Sequence, residues 1–194
     1  MKRVVVATSL FLLAVLVVAV ALNGALTVKD RAKWAAASGM LAARSGACSV
    51  LLADGRVLVT GGTNESGVLA SAELLELAGA STPAAPMAYA RAGHLCVARP
   101  DGSVLVAGGR TTGDAATNSA EIYDPALNTW RIAGAMVDAR AEATASVLPD
   151  GRVLIAGGEA SGATLASLEI YDPAAGAFTA VLQPLSSPRK GHAA

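Results

Sequence analysis

The stretch DGRVLIAGG at residues 150–158 decides the fold, because the chain contains it three times in nearly the same form. The other copies are DGSVLVAGG at 101–109 and DGRVLVTGG at 54–62, so the copies begin 47 and 49 residues apart. Self-similarity at a fixed period of this size indicates a repeat architecture, in which each unit is one supersecondary structure. The sequence therefore predicts three successive structural units of one kind.

Other residues keep the same spacing and mark the same positions in each unit. They are the arginines Arg44, Arg91, Arg140 and Arg189, the glutamates Glu73, Glu121 and Glu169, and the glycine pairs Gly61–Gly62, Gly108–Gly109 and Gly157–Gly158. Because they recur in every unit, we expect them to be structural. The arginines and glutamates would pair and join strands or neighbouring units, and the glycines would take backbone conformations that a Cβ atom forbids.

Each unit reads as four β-strands. An apolar run leads into Asp-Gly, which predicts a two-residue hairpin with a type I′ turn. The next run, Val104-Leu105-Val106 in the second unit, is continuously apolar, which predicts burial on both faces of a sheet. A third strand ends at Pro125 and a fourth carries Trp130. In the first unit Ser81 stands in place of the tryptophan, so we expect the outer half of that unit to be looser.

These units, framed by arginines such as Arg140 and Arg189, resemble kelch repeats. They are most similar to the bacterial type found in the propeller of galactose oxidase-like proteins, and the resemblance covers about 34–194. It implies an all-β fold, a kelch-type β-propeller with three full four-stranded blades plus fragments. Kelch propellers serve mainly as binding platforms and only occasionally as enzymes, so the resemblance indicates the fold more than the function.

The predicted organisation has three parts. Residues 1–25 form a signal anchor or signal peptide, 26–33 a linker and 34–194 a partial propeller. The predicted blades lie at about 40–86, 87–135 and 136–184, and the start of a next one at 185–194. Since closed propellers have about four to eight blades, we expect these units to be the N-terminal part of a longer propeller.

The first part is a hydrophobic segment with basic residues before it. Residues 4–22 contain only Thr8 and Ser9 as polar residues and follow Lys2 and Arg3. A helix of this length spans roughly 28 Å, close to the ~30 Å hydrocarbon core of a bilayer. This pattern predicts an N-terminal transmembrane helix with the rest of the chain outside the cytoplasm. The alternative is a secreted protein, cleaved after Ala19-Val20-Ala21.

Composition narrows the range of partners and covalent features. The 194 residues carry 15 basic and 15 acidic side chains, which argues against nucleic acid as a partner. Cys48 lies six residues before its Asp-Gly and Cys96 lies five before its own, which places them on opposite faces of equivalent strands. A disulfide between them is therefore not expected, and both are predicted to be buried free thiols.

No catalytic residue, metal site or cofactor is predicted. His94 and His192 both stand three residues after a repeat arginine, which favours a structural role. The copper chemistry of galactose oxidase-like enzymes would need tyrosine, cysteine and histidine ligands, and Tyr123 and Tyr171 are merely equivalent repeat positions. The alternative hypothesis is the front portion of a galactose oxidase-like or carbohydrate-active enzyme whose catalytic residues are not in this sequence.

The loops after the glycine pairs are the best candidates for ligand binding, because they do not repeat. Their charged residues are Glu65, Arg110, Asp114 and Glu159, and we expect the loops to lie at one end of the propeller. The sequence thus predicts an extracytoplasmic, membrane-tethered binding module that presents these loops to a protein or a glycan.

Overall fold

A computed structural model describes residues 39–76 and 79–193 of the chain, and all regular structure in them is β. The predicted N-terminal helix and the linker lie outside the described residues. Within the part described, no helix has the length and apolar character needed to cross a bilayer. The prediction of an all-β fold is confirmed for these residues.

The strands are short and follow the predicted units. In chain order they are β1 (Cys48–Leu51), β2 (Val57–Thr60), β3 (Thr63–Asn64), β4 (Gly67–Val68), β5 (Ala72–Leu75), β6 (Thr82–Ala84), β7 (Leu95–Ala98), β8 (Val104–Ala107), β9 (Ser119–Asp124), β10 (Thr129–Ala135), β11 (Thr144–Val147), β12 (Val153–Ala156), β13 (Glu159–Ala160), β14 (Ala163–Thr164), β15 (Leu168–Asp172) and β16 (Ala177–Val181).

Each repeat forms one antiparallel sheet of four strands. The first sheet has the order β1-β2-β5-β6, the second β7-β8-β9-β10 and the third β11-β12-β15-β16. Two small hairpins, β3–β4 and β13–β14, lie in the loops after the first and third glycine pairs. One sheet per repeat is the arrangement expected for the blades of a kelch propeller.

Successive sheets pack face to face. Every residue of β8 is buried, and its side chains alternate between two hydrophobic clusters. Val104 and Val106 pack with Leu58 of the first sheet, whereas Leu105 packs with Ile155 of the third. Because alternate residues of a strand point to opposite faces, the second sheet lies between the other two. Because a sheet covers it on each side, β8 is buried on both faces and consists of apolar residues.

The Asp-Gly hairpins form as predicted, but the turn type is different. The Gly55 N–H donates to Leu52 O at 3.0 Å, and the Leu52 N–H donates to Arg56 O at 2.8 Å. Within this loop only Gly55 has a positive φ, +87°, whereas a type I′ turn needs two residues with positive φ. The prediction of a type I′ turn was therefore wrong. The loop has three residues, and its glycine takes the left-handed conformation of a G1 bulge. Asp54 Oδ1 instead accepts the Arg56 N–H at 3.0 Å and holds the turn.

The glycine pairs lie where the next repeat approaches most closely. Gly108 has φ +67°, and a Cβ atom there would collide with the carbonyl oxygen of Arg140. The neighbouring Gly109 N–H donates to that same oxygen at 2.8 Å. The pair therefore ends β8 and also joins the second repeat to the start of the third.

The prediction of free thiols was wrong, because Cys48 and Cys96 form a disulfide. Their Cα atoms are 6.0 Å apart, and the bond joins β1 of the first sheet to β7 of the second. The two cysteines do lie on opposite faces of equivalent strands, as the sequence indicated. When sheets are stacked face to face, however, one face of the first sheet meets the opposite face of the second. Cysteines on opposite faces of equivalent strands are therefore brought together, and they form the disulfide.

The first sheet has the shortest outer strand. β6 has three residues, whereas β10 has seven and β16 has five. In the second sheet the Trp130 indole N–H donates to Ala85 O at 2.7 Å, and its ring lies 4.9 Å from that of Tyr123. In the first sheet the Ser81 hydroxyl donates to Gly39 O at 2.8 Å, without the aromatic packing.

Candidate functional site

The repeat arginines and glutamates form buried pairs inside each repeat. Arg91 Nη2 lies 2.8 Å from Glu121 Oε1, and both side chains are fully buried. Arg91 Nη1 also donates to Gly108 O at 2.7 Å, and Glu121 accepts the Ala88 N–H at 2.7 Å. The same pairing joins Arg44 to Glu73 and Arg140 to Glu169. These pairs tie the start of each repeat to its third strand, although the buried Nε of each arginine has no hydrogen-bond partner among the described residues.

Arg189 lies in the same register without a glutamate partner among the described residues. Its carbonyl oxygen accepts the Gly158 N–H at 2.8 Å, as the other repeat arginines do with the preceding repeat. Its guanidinium is exposed and donates to Ser187 Oγ at 3.0 Å. Arg189 thus makes the backbone hydrogen bond of the other repeat arginines but, among the described residues, not their ion pair.

The loops that follow the glycine pairs all leave the same end of the sheets, which we call the loop end. Each glycine pair follows the second strand of its sheet, so the loops start from equivalent points. Single β-bridges connect Thr63 to Ser45, Arg110 to Ala92 and Glu159 to Ala141. These bridges hold the first residue of each loop against the start of its own repeat.

Five charged side chains meet at the loop end, and we call them the loop-end cluster: Arg110, Asp114, Glu142, Glu159 and Lys190. Arg110 Nη2 lies 2.7 Å from Glu159 Oε1, and Arg110 also lies 3.5 Å from Asp114 and 3.9 Å from Glu142. Lys190 pairs with the other oxygen of Glu159. Hydrogen bonds from Lys190 and Arg110 hold the pKa of Glu159 below its usual value. The cluster connects loops from the second and third repeats.

The structure brings together three of the four predicted loop residues, namely Arg110, Asp114 and Glu159. Glu65 is exposed in the turn of the β3–β4 hairpin and takes no part in the ion pairs of the described residues. Sequence reasoning missed Glu142 and Lys190, because both belong to segments that precede a first strand rather than to the loops. The one sequence signal for Glu142 is that the other repeats carry glycine at that position.

Glu142 has an unusual backbone. Its φ is +55°, and the equivalent residues Gly46, Gly93 and Gly191 have φ of +62°, +60° and +57°. The left-handed conformation costs a residue with a Cβ atom about 1–2 kcal/mol. Within the described part of the chain its carboxylate accepts no hydrogen bond and only approaches Arg110. An acidic residue with a strained backbone thus replaces glycine at the loop end.

The histidines have structural partners. His94 is buried, and its Nε2 lies 2.8 Å from Thr60 Oγ1. Burial, together with the nearby positive charge of Arg91, lowers the pKa of His94 to about 3, so the ring is neutral at physiological pH. His192 Nε2 lies 3.0 Å from Thr144 Oγ1 in the same way. Across 39–76 and 79–193, no three His, Cys, Asp or Glu side chains are grouped so that they could hold a metal ion.

Comparison with known proteins agrees with this architecture. Residues 91–137 match the family model of the kelch motif, a segment that begins at Arg91 and contains the whole second sheet. No curated protein matches the chain. The galactose oxidase-like subtype stays a prediction, since the match concerns the motif alone. The matched segment contains the arginine, the glycine pair and the glutamate that recur in the other repeats, so residues 91–137 are a kelch motif and support the kelch-repeat family for the repeats.

Proposed function

We propose that this chain is an extracytoplasmic, membrane-tethered interaction module that binds a protein partner through its loop end. Kelch repeats generally mediate protein–protein interaction. The observation that carries the proposal is the loop-end cluster. Its charged side chains differ from repeat to repeat, whereas the sheets that position them are the same in every repeat.

The buried and the loop-end charges differ in a way that separates scaffold from function. The Arg–Glu pairs occupy the same place in every sheet and are shielded from solvent. In contrast, the residue after the glycine pair is Thr63, Arg110 or Glu159, depending on the repeat. Positions that vary on a rigid scaffold are where binding specificity is usually found.

The cluster is accessible to a partner. The side chains of Asp114, Lys190 and Glu142 are 82%, 44% and 41% exposed, whereas Glu159 between them is 9% exposed. Charges of both signs on one surface favour a partner with the complementary pattern and disfavour others. The cluster therefore suits selection of one protein partner rather than general attraction to a charged surface.

Two features support the extracytoplasmic location. The Cys48–Cys96 disulfide joins two sheets, and structural disulfides form and persist in oxidising compartments. The hydrophobic segment 4–22 with its basic flank is typical of an export signal or an anchor. Protease treatment of intact cells tests this location: digestion of the repeats without cell lysis supports it, and full protection contradicts it.

The experiment for the binding function uses Glu142→Gly, which restores the glycine of the other repeats. This variant removes the strain, so we expect a small increase in stability by urea unfolding. Cross-linking of the full-length chain in its own membranes, followed by quantitative mass spectrometry, should show at least a tenfold loss of the specific partner. A matched control is Arg152→Ala, an exposed arginine at the opposite end of the third sheet. Identical partner recovery by wild type and Glu142→Gly would reject the proposal.

A further inference from the structure

We propose that Arg189 and the backbone N–H groups of Ser186 and Ser187 form a binding site for the carboxylate of a glutamate on an incoming β-strand. The same set of groups holds a glutamate inside each of the three repeats. We call this fourth copy the carboxylate site. The inference goes beyond the proposed function, because the carboxylate site contains none of the five side chains of the loop-end cluster.

The three repeat glutamates are all bound in one way. In the second repeat, Arg91 Nη2 donates to Glu121 Oε1 at 2.8 Å. The N–H groups of Ala88 and Tyr89 donate to the two carboxylate oxygens at 2.7 and 3.2 Å. The equivalent N–H donors in the other repeats are those of Leu41 and Ala42 and those of Val137 and Asp138. Each glutamate is thus held by one guanidinium and two consecutive backbone N–H groups.

The segment 185–191 is held in place as the equivalent segments of the other repeats are. The N–H groups of Leu185 and Arg189 donate to carbonyl oxygens of the third repeat at 2.8 and 3.0 Å, and Arg189 O accepts the Gly158 N–H at 2.8 Å. The equivalent bonds between the second and third repeats are 2.8, 3.2 and 2.8 Å long. Pro188 fixes one further backbone angle. The carboxylate site is therefore already formed, which lowers the entropy lost on binding.

The three donors of the carboxylate site are accessible. Arg189, Ser186 and Ser187 are exposed, and the two serine N–H groups have no acceptor within residues 39–76 and 79–193. Arg189 Nη2 donates to Ser187 Oγ at 3.0 Å. Arg140 makes a similar contact, 3.4 Å to Asp138 Oδ2, while it also binds its glutamate. The contact with Ser187 is thus compatible with binding of a carboxylate.

The donor set favours a carboxylate over other polar groups. The planar fork of a guanidinium matches the two oxygens of a carboxylate, and hydrogen bonds between charged groups are stronger than those between neutral ones. Two consecutive N–H groups reach both oxygens, as they do at Glu121. A glutamine side chain has one acceptor oxygen, and its NH₂ group would face a second donor. The site should therefore distinguish glutamate from glutamine.

The surface beside the carboxylate site favours a glutamate that a β-strand carries. Leu154 and Ile170 are half-buried on the face of the third sheet that is turned away from the second. Their equivalent in the second sheet, Leu105, packs with Ile155 of the next sheet and with Met136 of the segment equivalent to 185–191. A strand that brings a glutamate to Arg189 would cover Leu154 in the same way.

The glutamate is a further one and not a repeat glutamate of a second copy of this chain. Glu73, Glu121 and Glu169 are each buried against the arginine of their own repeat. Their transfer to Arg189 would break a buried ion pair, which is costly.

An NMR titration of the ¹⁵N-labelled full-length chain in detergent micelles tests the proposal. The main probe is the peptide Ala-Glu-Ile-Tyr-Asp, residues 120–124, with both termini blocked so that they carry no charge. The comparisons are the Glu121→Gln analogue of this peptide and sodium acetate, all at one ionic strength. We expect the peptide to shift the amide signals of Ser186 and Ser187. The glutamine analogue and acetate should each bind at least tenfold more weakly.

Three variants of the protein locate the binding. Arg189→Ala should bind the peptide at least tenfold more weakly. Because Arg189 is exposed, this variant should unfold at the same urea concentration as the wild type, so a loss of binding is not a loss of the fold. Arg152→Ala, which changes another exposed arginine of the third repeat, should bind the peptide as the wild type does. The same holds for Glu142→Gly, which retains all three donors.

Four results would overturn the proposal. They are unchanged signals of the two serines, equal binding of the glutamine analogue, equal binding of acetate, and unchanged binding by Arg189→Ala. None of these results concerns the partner that is cross-linked through the loop-end cluster. Conversely, unchanged partner recovery by Glu142→Gly would leave the carboxylate site unaffected, so the two proposals can fail independently.

Discussion

Single buried arginines carry much of the repeat scaffold. Arg91 donates to two backbone carbonyl oxygens, to the Ser119 hydroxyl and to Glu121, so its guanidinium replaces most of its hydration with fixed partners. Burying a charge is costly unless it is paired and hydrogen-bonded. Each repeat meets that condition by placing arginine and glutamate 29 or 30 residues apart in sequence and in contact in space.

We expect Arg91→Ala to destabilise the protein strongly. The substitution leaves Glu121 buried without its cation and removes the donor to Gly108 O, while Ser119 O still accepts the Gly108 N–H. Removing one partner of a buried ion pair costs about 3–5 kcal/mol. Urea unfolding followed by circular dichroism measures the change. Arg152→Ala removes an exposed ion pair and should change the unfolding midpoint far less; equal midpoints for the two variants would contradict the structural role of Arg91.

His94 should make stability depend on pH. Its pKa is about 3 in the folded protein and about 6.5 in the unfolded chain. Between these values the unfolded state binds more protons, so the free energy of unfolding decreases as the pH falls from about 6.5 towards 3. The decrease is at most about 1.4 kcal/mol per pH unit for one group. Urea unfolding at several pH values should show it.

The comparison protein for this pH effect is His94→Gln, because glutamine does not titrate in the same window. Carboxylates titrate in both proteins, so their contribution cancels in the difference between the two curves. As the pH falls, we expect the free energy of unfolding to decrease more in the wild type than in the variant. Parallel curves would show that His94 is not buried as a neutral group.

At the scale of elements, the disulfide shows what strand pattern alone does not determine. Counting residues from Asp-Gly correctly placed Cys48 and Cys96 on opposite faces of equivalent strands. Whether opposite faces meet depends on how whole sheets stack, which is a property of packing between repeats. The prediction of the turn type was also wrong. The Asp54 side chain accepts a backbone N–H in this turn, and the dipeptide pattern does not reveal that contact.

Reduction of the Cys48–Cys96 disulfide should destabilise the first junction. The bond closes a loop of 48 residues, and in the chain-entropy model such a bond contributes about 4 kcal/mol by restricting the unfolded chain. Urea unfolding with and without a reductant measures the effect. The Cys48→Ser, Cys96→Ser double variant should show the lower stability under both conditions.

Thiol titration in denaturant checks the disulfide directly. The chain has two cysteines, so the untreated protein should show no free thiol and the reduced protein two. Two thiols before reduction would mean that the cysteines are free and would remove the argument for an oxidising compartment.

At the scale of the whole molecule, the sequence allowed most of the architecture to be predicted and little of the sites. Markers such as Gly108 and Glu121 repeat because each sheet needs them, so one chain reveals them by comparison with itself. In the loop-end cluster, Arg110 and Glu159 share one repeat position and were predicted together, but no periodic signal connects Lys190 to them.

The order of stacking leads to a prediction that compares two leucines in equivalent positions. Leu105 on β8 is fully buried and packs towards the third sheet, so Leu105→Ala should cost about 2–5 kcal/mol. Leu154 on β12 is only half-buried, because Val153 and Ile155 on either side of it face the second sheet and Leu154 faces away. Leu154→Ala should therefore cost clearly less. Urea unfolding of both variants measures this difference, and equal losses would mean that the two middle strands are packed alike, which contradicts the stacking of the three sheets in sequence order.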